Sequence, residues 1–130
     1  MIYLSKAQAT EIILEKLAKS GCSEDNSSGI LEGILDAEFS GIKSHGFHYL
    51  PIYCNHLKIG KINGSASPTF EQISSSSIKV DADNGFAHTA INIGLKHLCK
   101  MSSFEGISCM AIYNSYNCGV LGFHTKKIAE

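Results

Sequence analysis

The sequence predicts an α/β fold in which N-terminal helices are followed by a strand-helix-strand unit of a layered mixed sheet, a sheet incomplete in itself. Three observations carry this expectation. Apolar residues recur at three- and four-residue steps through the first part of the chain. A short alternating stretch at 77–81 runs into Asp83-Asn84-Gly85, a tight-turn signal. After a further helical stretch, the apolar run GISCMAIY at 106–113 has the form of a buried strand.

The first helix begins at a capping box, Ser5 with Gln8 three positions later. Its apolar face carries Ile12, Ile13, Leu17 and Ala18 until Gly21 stops it. A second helix, capped at 23–25, carries Ile30, Leu31, Ile34, Leu35 and Phe39 and ends near 42–46. The third periodic segment, 49–59, contains Pro51; a proline is best tolerated in a first turn, so this helix starts just before it. Residues 61–77 are a polar connector with an extended piece at 69–73. A strand at 77–81, a helix at 86–101 weakened by Gly94, the strand at 106–113, a loop at 114–122 and a helix from 123 complete the chain. The layout is a single unit: 1–60 helical, 61–77 connector, 78–130 strand-helix-strand-helix. A buried strand needs neighbours on both sides and this chain offers few, so another subunit or a longer chain is expected to complete the sheet.

A chain of 130 residues is the size of one domain, long enough to bury roughly two-thirds of its unfolded surface. With 44% hydrophobic and 18% charged residues, a net charge of -1 and no run of like charge, it has neither the composition of a disordered segment nor the footprint of a nucleic-acid binder. No stretch approaches the roughly 18 apolar residues of a membrane span, and charged residues interrupt the start, so a cytoplasmic protein with no membrane partner is expected. Five cysteines without a CxxC pair predict free, mostly buried thiols.

Two stretches are candidates for chemistry. In SHGFHYLP, residues 44–51, His45 sits at a bend between two helices, and an imidazole titrates where proton transfer is useful. Ser44 and Gly46 let the backbone turn, and Tyr53, eight residues on, is placed to bring its hydroxyl to the same face. A histidine at such a junction is also a common structural residue, and spacing leaves both readings open. In NSYNCGVLGFH, residues 114–124, short hydrogen-bonding side chains (Asn114, Ser115, Asn117) and Gly119 and Gly122 follow a strand directly, the place where ligands gather in α/β sheets. A plain helix-start connector explains it equally. His48, His56, His88, His97 and His124 lack a metal-binding spacing. Cys118 with His124 is read as a small core residue and a surface imidazole, so no metal is expected.

SHG at 44–46 with Pro51 and Tyr53, KIGKING at 58–64, VDADNGFAH at 80–88 and NS…GxxG at 114–122, in this order, resemble the type 2 malate/L-lactate dehydrogenase family of NAD(P)-dependent oxidoreductases. The resemblance covers nearly the whole chain. It implies a non-Rossmann α/β oxidoreductase fold, a homodimer, and hydride transfer between NAD or NADP and a small 2-hydroxy or 2-keto acid. His45 matches the family's acid/base histidine, and Ser44, Tyr49, Tyr53 and Asn117 fall at the substrate. Ser44, His45 and Gly119 fall at the cofactor. The departures are specific. Tyr49 stands where the family has an arginine that clamps the substrate carboxylate. Asn117-Cys118 replace a histidine and an aromatic, and an amide cannot exchange a proton near neutral pH. Lys43 replaces an aspartate. Family members are also longer, and much of their cofactor site comes from segments beyond residue 130. Two readings result: a truncated, divergent dehydrogenase, or a catalytically inactive remnant that serves as a binding or dimerisation module.

Overall fold

The computed structural model describes residues 3–130. Three helices come first: α1 (Lys6–Lys19), α2 (Glu24–Phe39) and, after two single 3-10 turns at Lys43–His45 and Phe47–Tyr49, α3 (Leu50–Lys58). A hairpin of β1 (Thr69–Ser74) and β2 (Ser77–Asp81) follows, then α4 (Ala87–Glu105), β3 (Cys109–Tyr113) and α5 (Leu121–Ala129). The sheet order is β1-β2-β3, antiparallel between the first two strands and parallel between the last two, with α4 as the crossover. The expected α/β class and its mixed sheet are therefore present.

The predicted start of α1 holds in full. Ser5 accepts from the Gln8 amide, and the Gln8 side chain accepts from the Ser5 amide at 2.9 Å. Its buried stripe is Ala9, Ile13 and Leu17; Ala18 is exposed, because the docking face is narrower than the apolar pattern. α2 is capped by Ser23 and stops at Phe39, short of the expected 42–46. Gly41, at φ 72, takes the left-handed conformation that ends a helix, and the Ile42 amide closes on the Ala37 carbonyl at 2.8 Å. Phe39, expected on the buried face, is 72% exposed. Pro51 lies in the first turn of α3, as its missing N–H requires.

The connector is more ordered than its composition suggests. Its extended piece is β1, an exposed edge strand paired with β2 from Thr69↔Asp81 to Ser74↔Ser77. Asn63 binds its start to the turn after β2: its amide donates to the Asn84 carbonyl at 3.0 Å and its side chain donates to the Asp83 carboxylate at 3.0 Å. A second tie is Asn26, buried on α2, which donates to the Ala66 carbonyl at 2.9 Å and accepts from the Thr89 hydroxyl at 3.0 Å. One polar side chain thus joins α2, the connector and α4.

There are two apolar clusters. The helical one gathers Ile13, Leu17, Ile30, Ile34, Leu50, Tyr53, Leu57, Ile62 and Phe86; the smaller one, Ile78, Val80, Ala82 and Ala90, lies between β2 and α4. Gly94 belongs to the second. A Cβ there would collide with the Met110 sulfur and come within 3.1 Å of Val80, so this glycine sets how closely α4 lies on the sheet. β3 corrects an expectation: it is not buried but alternates exposed and half-buried residues, its outer edge unpaired in the sheet. The apolar run records one covered face; nothing among the described residues covers the other. The thiols also differ from expectation: all five are free, but Cys22 alone is buried, with Cys54 and Cys118 half-buried and Cys99 and Cys109 exposed.

Candidate functional site

The turn after β2 and the loop after β3 lie side by side, prolonging the parallel pairing beyond the strand ends. Ala82 donates to Tyr113, Asn84 to Asn114 and, at 2.8 Å, Tyr116 to Gly85. Asp83, Asn84 and Asn114 carry left-handed backbone conformations, which Asp and Asn tolerate better than most residues. This zipper delivers Tyr116 and Asn117 to the C-terminal end of the sheet, against α3.

Across from them stands the 44–53 segment. Gly46 has a steric reason: a Cβ at that position would overlap the Glu38 carboxylate, which accepts from the Phe47 amide at 2.6 Å and so satisfies the second 3-10 turn. With the bend fixed, His45 is half-buried and its Nδ1 lies 2.9 Å from the Ser44 hydroxyl. The imidazole is nearly parallel to the Tyr49 ring, 11° between planes and 6.2 Å between centroids. Tyr49 meets Tyr53 edge-on at 4.8 Å, and Tyr53 meets Phe86 in the same way at 5.3 Å.

Asn117 closes the set. Its carbonyl oxygen accepts from the Tyr53 hydroxyl at 3.1 Å and from the Gly119 amide at 3.3 Å, and its amino group donates to the Tyr49 oxygen at 3.4 Å. Burial, with the Tyr49 and Tyr116 phenols and the Cys118 thiol nearby, pushes the Tyr53 phenol above its ordinary range, so it stays a donor. The residues singled out from the sequence, Ser44, His45, Tyr49, Tyr53, Asn117 and Gly119, thus form one contiguous group from segments more than 60 positions apart. Gly119, at φ 66, needs its glycine freedom, and its N–H is committed to Asn117.

What the group can do follows from its composition. His45 contributes an imidazole; the rest are hydroxyl, phenol and amide donors and acceptors. The chain contains no arginine at all, so no guanidinium clamp for a carboxylate comes from these 130 residues. Ser44 and His45 lie on an accessible turn, whereas Gly119 turns inward and shapes the loop.

Two features escaped sequence reasoning. His56 and Tyr116, 60 positions apart, are joined by a 2.6 Å hydrogen bond between Nδ1 and the phenol, and no spacing rule connects them. His88 is 97% buried in a slot made by glycines, where a Cβ at Gly33 would come within 2.8 Å of its Nε2 and one at Gly119 within 3.3 Å. Burial, then His124 and Lys127, push its pKa down to about 3. His124 is a correction: it is buried, not a surface imidazole, with Nε2 2.7 Å from the Cys118 carbonyl. Among the described residues no group of three or more His, Cys, Asp or Glu side chains is placed to hold a metal, and no helix is long and apolar enough to cross a membrane.

Comparison with known proteins places this arrangement among dehydrogenases and reductases. The Delta(1)-pyrroline-2-carboxylate reductase 1 of Burkholderia ambifaria is 31% identical over 128 residues, 98% of this chain and 38% of its own. The (2R)-3-sulfolactate dehydrogenase (NADP(+)) of Chromohalobacter salexigens is 29% identical over 127 residues, again 98% of this chain and 38% of its own. The crystal structure of delta1-piperideine-2-carboxylate reductase from Pseudomonas syringae pvar. tomato matches with a TM-score of 0.88 at 26% identity, over 93% of this chain and 36% of that one. The chain spans less than two-fifths of the length of these relatives. A family model described as malate/L-lactate dehydrogenase matches residues 4–130, and the chain belongs to that family.

Proposed function

We propose that this chain supplies the substrate-side acid/base portion of an NAD(P)-dependent oxidoreductase acting on a small 2-hydroxy or 2-keto acid. The observation that supports it is the accessible His45 ring, held at Nδ1 by Ser44 and stacked on Tyr49, at the rim of a hydrogen-bonded floor of Tyr53 and Asn117. Ser44 and His45 would hold a nicotinamide at this turn, and the chemistry it would supply when bound is hydride exchange with the substrate's carbonyl carbon. His45 gives the carbonyl oxygen its proton and takes one from the hydroxyl in the reverse direction. Tyr49 and Asn117 orient the substrate by hydrogen bonds, and a cation for its carboxylate comes from outside these residues. Residues 1–130 act as one N-terminal portion, cytoplasmic and homodimeric, and the unpaired edge of β3 is where the remaining fold adds.

The test is titration of NADH and NADPH into the protein, followed by nicotinamide fluorescence and by turnover with 2-keto acids and cyclic imino acids. His45→Ala is expected to lower turnover by about 10²- to 10⁴-fold, and turnover unchanged in that variant sinks the assignment. The absence of any arginine from the chain favours a second reading, an inactive binding or dimerisation module. Absence of cofactor binding by this chain, together with a stable dimer, would establish it.

A further inference from the structure

KIGKING at 58–64 and VDADNGFAH at 80–88 each contain an asparagine followed by glycine, and the chemistry proposed for the site uses neither pair. An Asn-Gly pair is labile. Glycine has no Cβ to shield its backbone nitrogen, which can attack the side-chain Cγ of the asparagine before it. The new C–N bond closes a succinimide ring, the side-chain amide bond breaks, and ammonia leaves carrying the proton of the glycine amide. Water then opens the ring at either carbonyl and leaves aspartate or isoaspartate, so one water is taken up for each ammonia released.

The fold brings the two pairs together and restrains them through different atoms. They are joined directly, the Asn63 amide donating to the Asn84 carbonyl at 3.0 Å. At Asn84 the side chain is exposed and has no hydrogen-bond partner among the described residues, but the nucleophile is tied: the Gly85 amide donates to the Ala82 carbonyl at 2.8 Å. At Asn63 the arrangement is reversed. Among the described residues nothing accepts from the Gly64 amide, whereas the Asn63 side chain is held at both ends. Its Nδ2 donates to the Asp83 carboxylate at 3.0 Å and to the Asp83 carbonyl at 3.2 Å, and its Oδ1 accepts from the Ser65 amide at 3.1 Å. Turning Cγ toward the Gly64 nitrogen breaks these contacts.

We propose that Asn63 is a site of spontaneous deamidation that the Asp83 side chain guards. The guard stands where the backbone suits it, since Asp83 has a left-handed φ of 53, which a short polar side chain tolerates. Failure of the guard has a structural consequence. A carboxylate at 63 loses both donations to Asp83 and is set against a like charge, and isoaspartate also lengthens the backbone at the residue whose amide binds Asn84. The tie between the connector and the turn after β2 is then lost, and that turn delivers Tyr116 and Asn117 to the candidate site.

The test uses the whole chain, kept folded at mildly alkaline pH and, in parallel, unfolded in guanidinium, with the acid form at each pair followed over time by peptide mapping and mass spectrometry. In guanidinium both pairs are expected to convert, and in the folded protein Asn63 is expected to convert at least about tenfold more slowly. Asp83→Gly removes the carboxylate and suits the left-handed backbone; it is expected to raise the Asn63 rate about tenfold and to leave Asn84 unchanged. Asp83→Asn keeps an oxygen acceptor and should keep the protection. Conversion of Asn63 as fast in the folded protein as in guanidinium, or an Asn63 rate untouched by Asp83→Gly, overturns the proposal. Equal acceleration of both pairs in Asp83→Gly also overturns it, because the turn itself would then have opened. The rates involve no cofactor or substrate, so failure of nicotinamide binding removes the oxidoreductase reading without altering them.

Discussion

A methyl group at position 46 would run into the carboxylate of Glu38, and that carboxylate is what satisfies the Phe47 amide at the start of the second 3-10 turn. Relieving the clash moves either Glu38 off the amide or the bend that carries His45. Gly46→Ala is therefore expected to lower stability by about 1–3 kcal/mol, seen as a lower urea midpoint at unchanged slope. Gly41→Ala, in open space, is strained only by its left-handed backbone and should cost about 1 kcal/mol. These two glycines flank the same turn, and the sequence does not distinguish them. One is required for what lies across from it, the other for how its own backbone turns.

At the scale of elements, the packing of α2, α4 and α5 depends on a histidine that cannot be charged where it sits. His88 has its pKa pushed down to about 3 from an ordinary 6.5 by burial, then by His124 and Lys127. Lys127 is itself paired with Glu32 of α2 at 2.7 Å. The unfolded chain binds this proton more readily than the folded one, so the stabilisation is complete above pH 6.5 and is lost as pH falls toward 3. Urea midpoints should drop through that window at a limiting slope of about 1.4 kcal/mol per pH unit, and His88→Gln should flatten the dependence. Gly94 offers a second test, since its α4 position faces Met110 of β3. Gly94→Ala is expected to cost about 1–3 kcal/mol, and adding Met110→Ala should recover part of it, because the two sites share the same space. Helix starts were legible in the sequence because capping is local: Ser5 with Gln8, Ser23, and Pro51 each act within one turn. The site was legible as two stretches. What escaped was everything that depends on the residue across: the His56–Tyr116 bond, the glycine slot around His88, and the open face of β3, whose apolar run looks the same whether or not a partner covers it.

Taken as a whole molecule, the chain puts its best-packed core among the helices and its least covered surface at the sheet. Phe104 and Ile107, at the passage from α4 to β3, are 80% and 76% exposed, against zero for Ile13, Leu17, Ile30 and Phe86. Serine at either exposed position should change the urea midpoint of the chain by less than about 0.5 kcal/mol, while Ile30→Ala should cost about 2–5 kcal/mol. The ring cluster beneath His45 has an optical consequence. The protein has five tyrosines and no tryptophan, and three of the five, Tyr49, Tyr53 and Tyr116, stand in that cluster. Its ultraviolet emission therefore comes largely from one place. A reduced nicotinamide absorbs on the long-wavelength side of tyrosine emission, so one bound beside His45 would quench that emission by energy transfer, with no indole signal to obscure the loss.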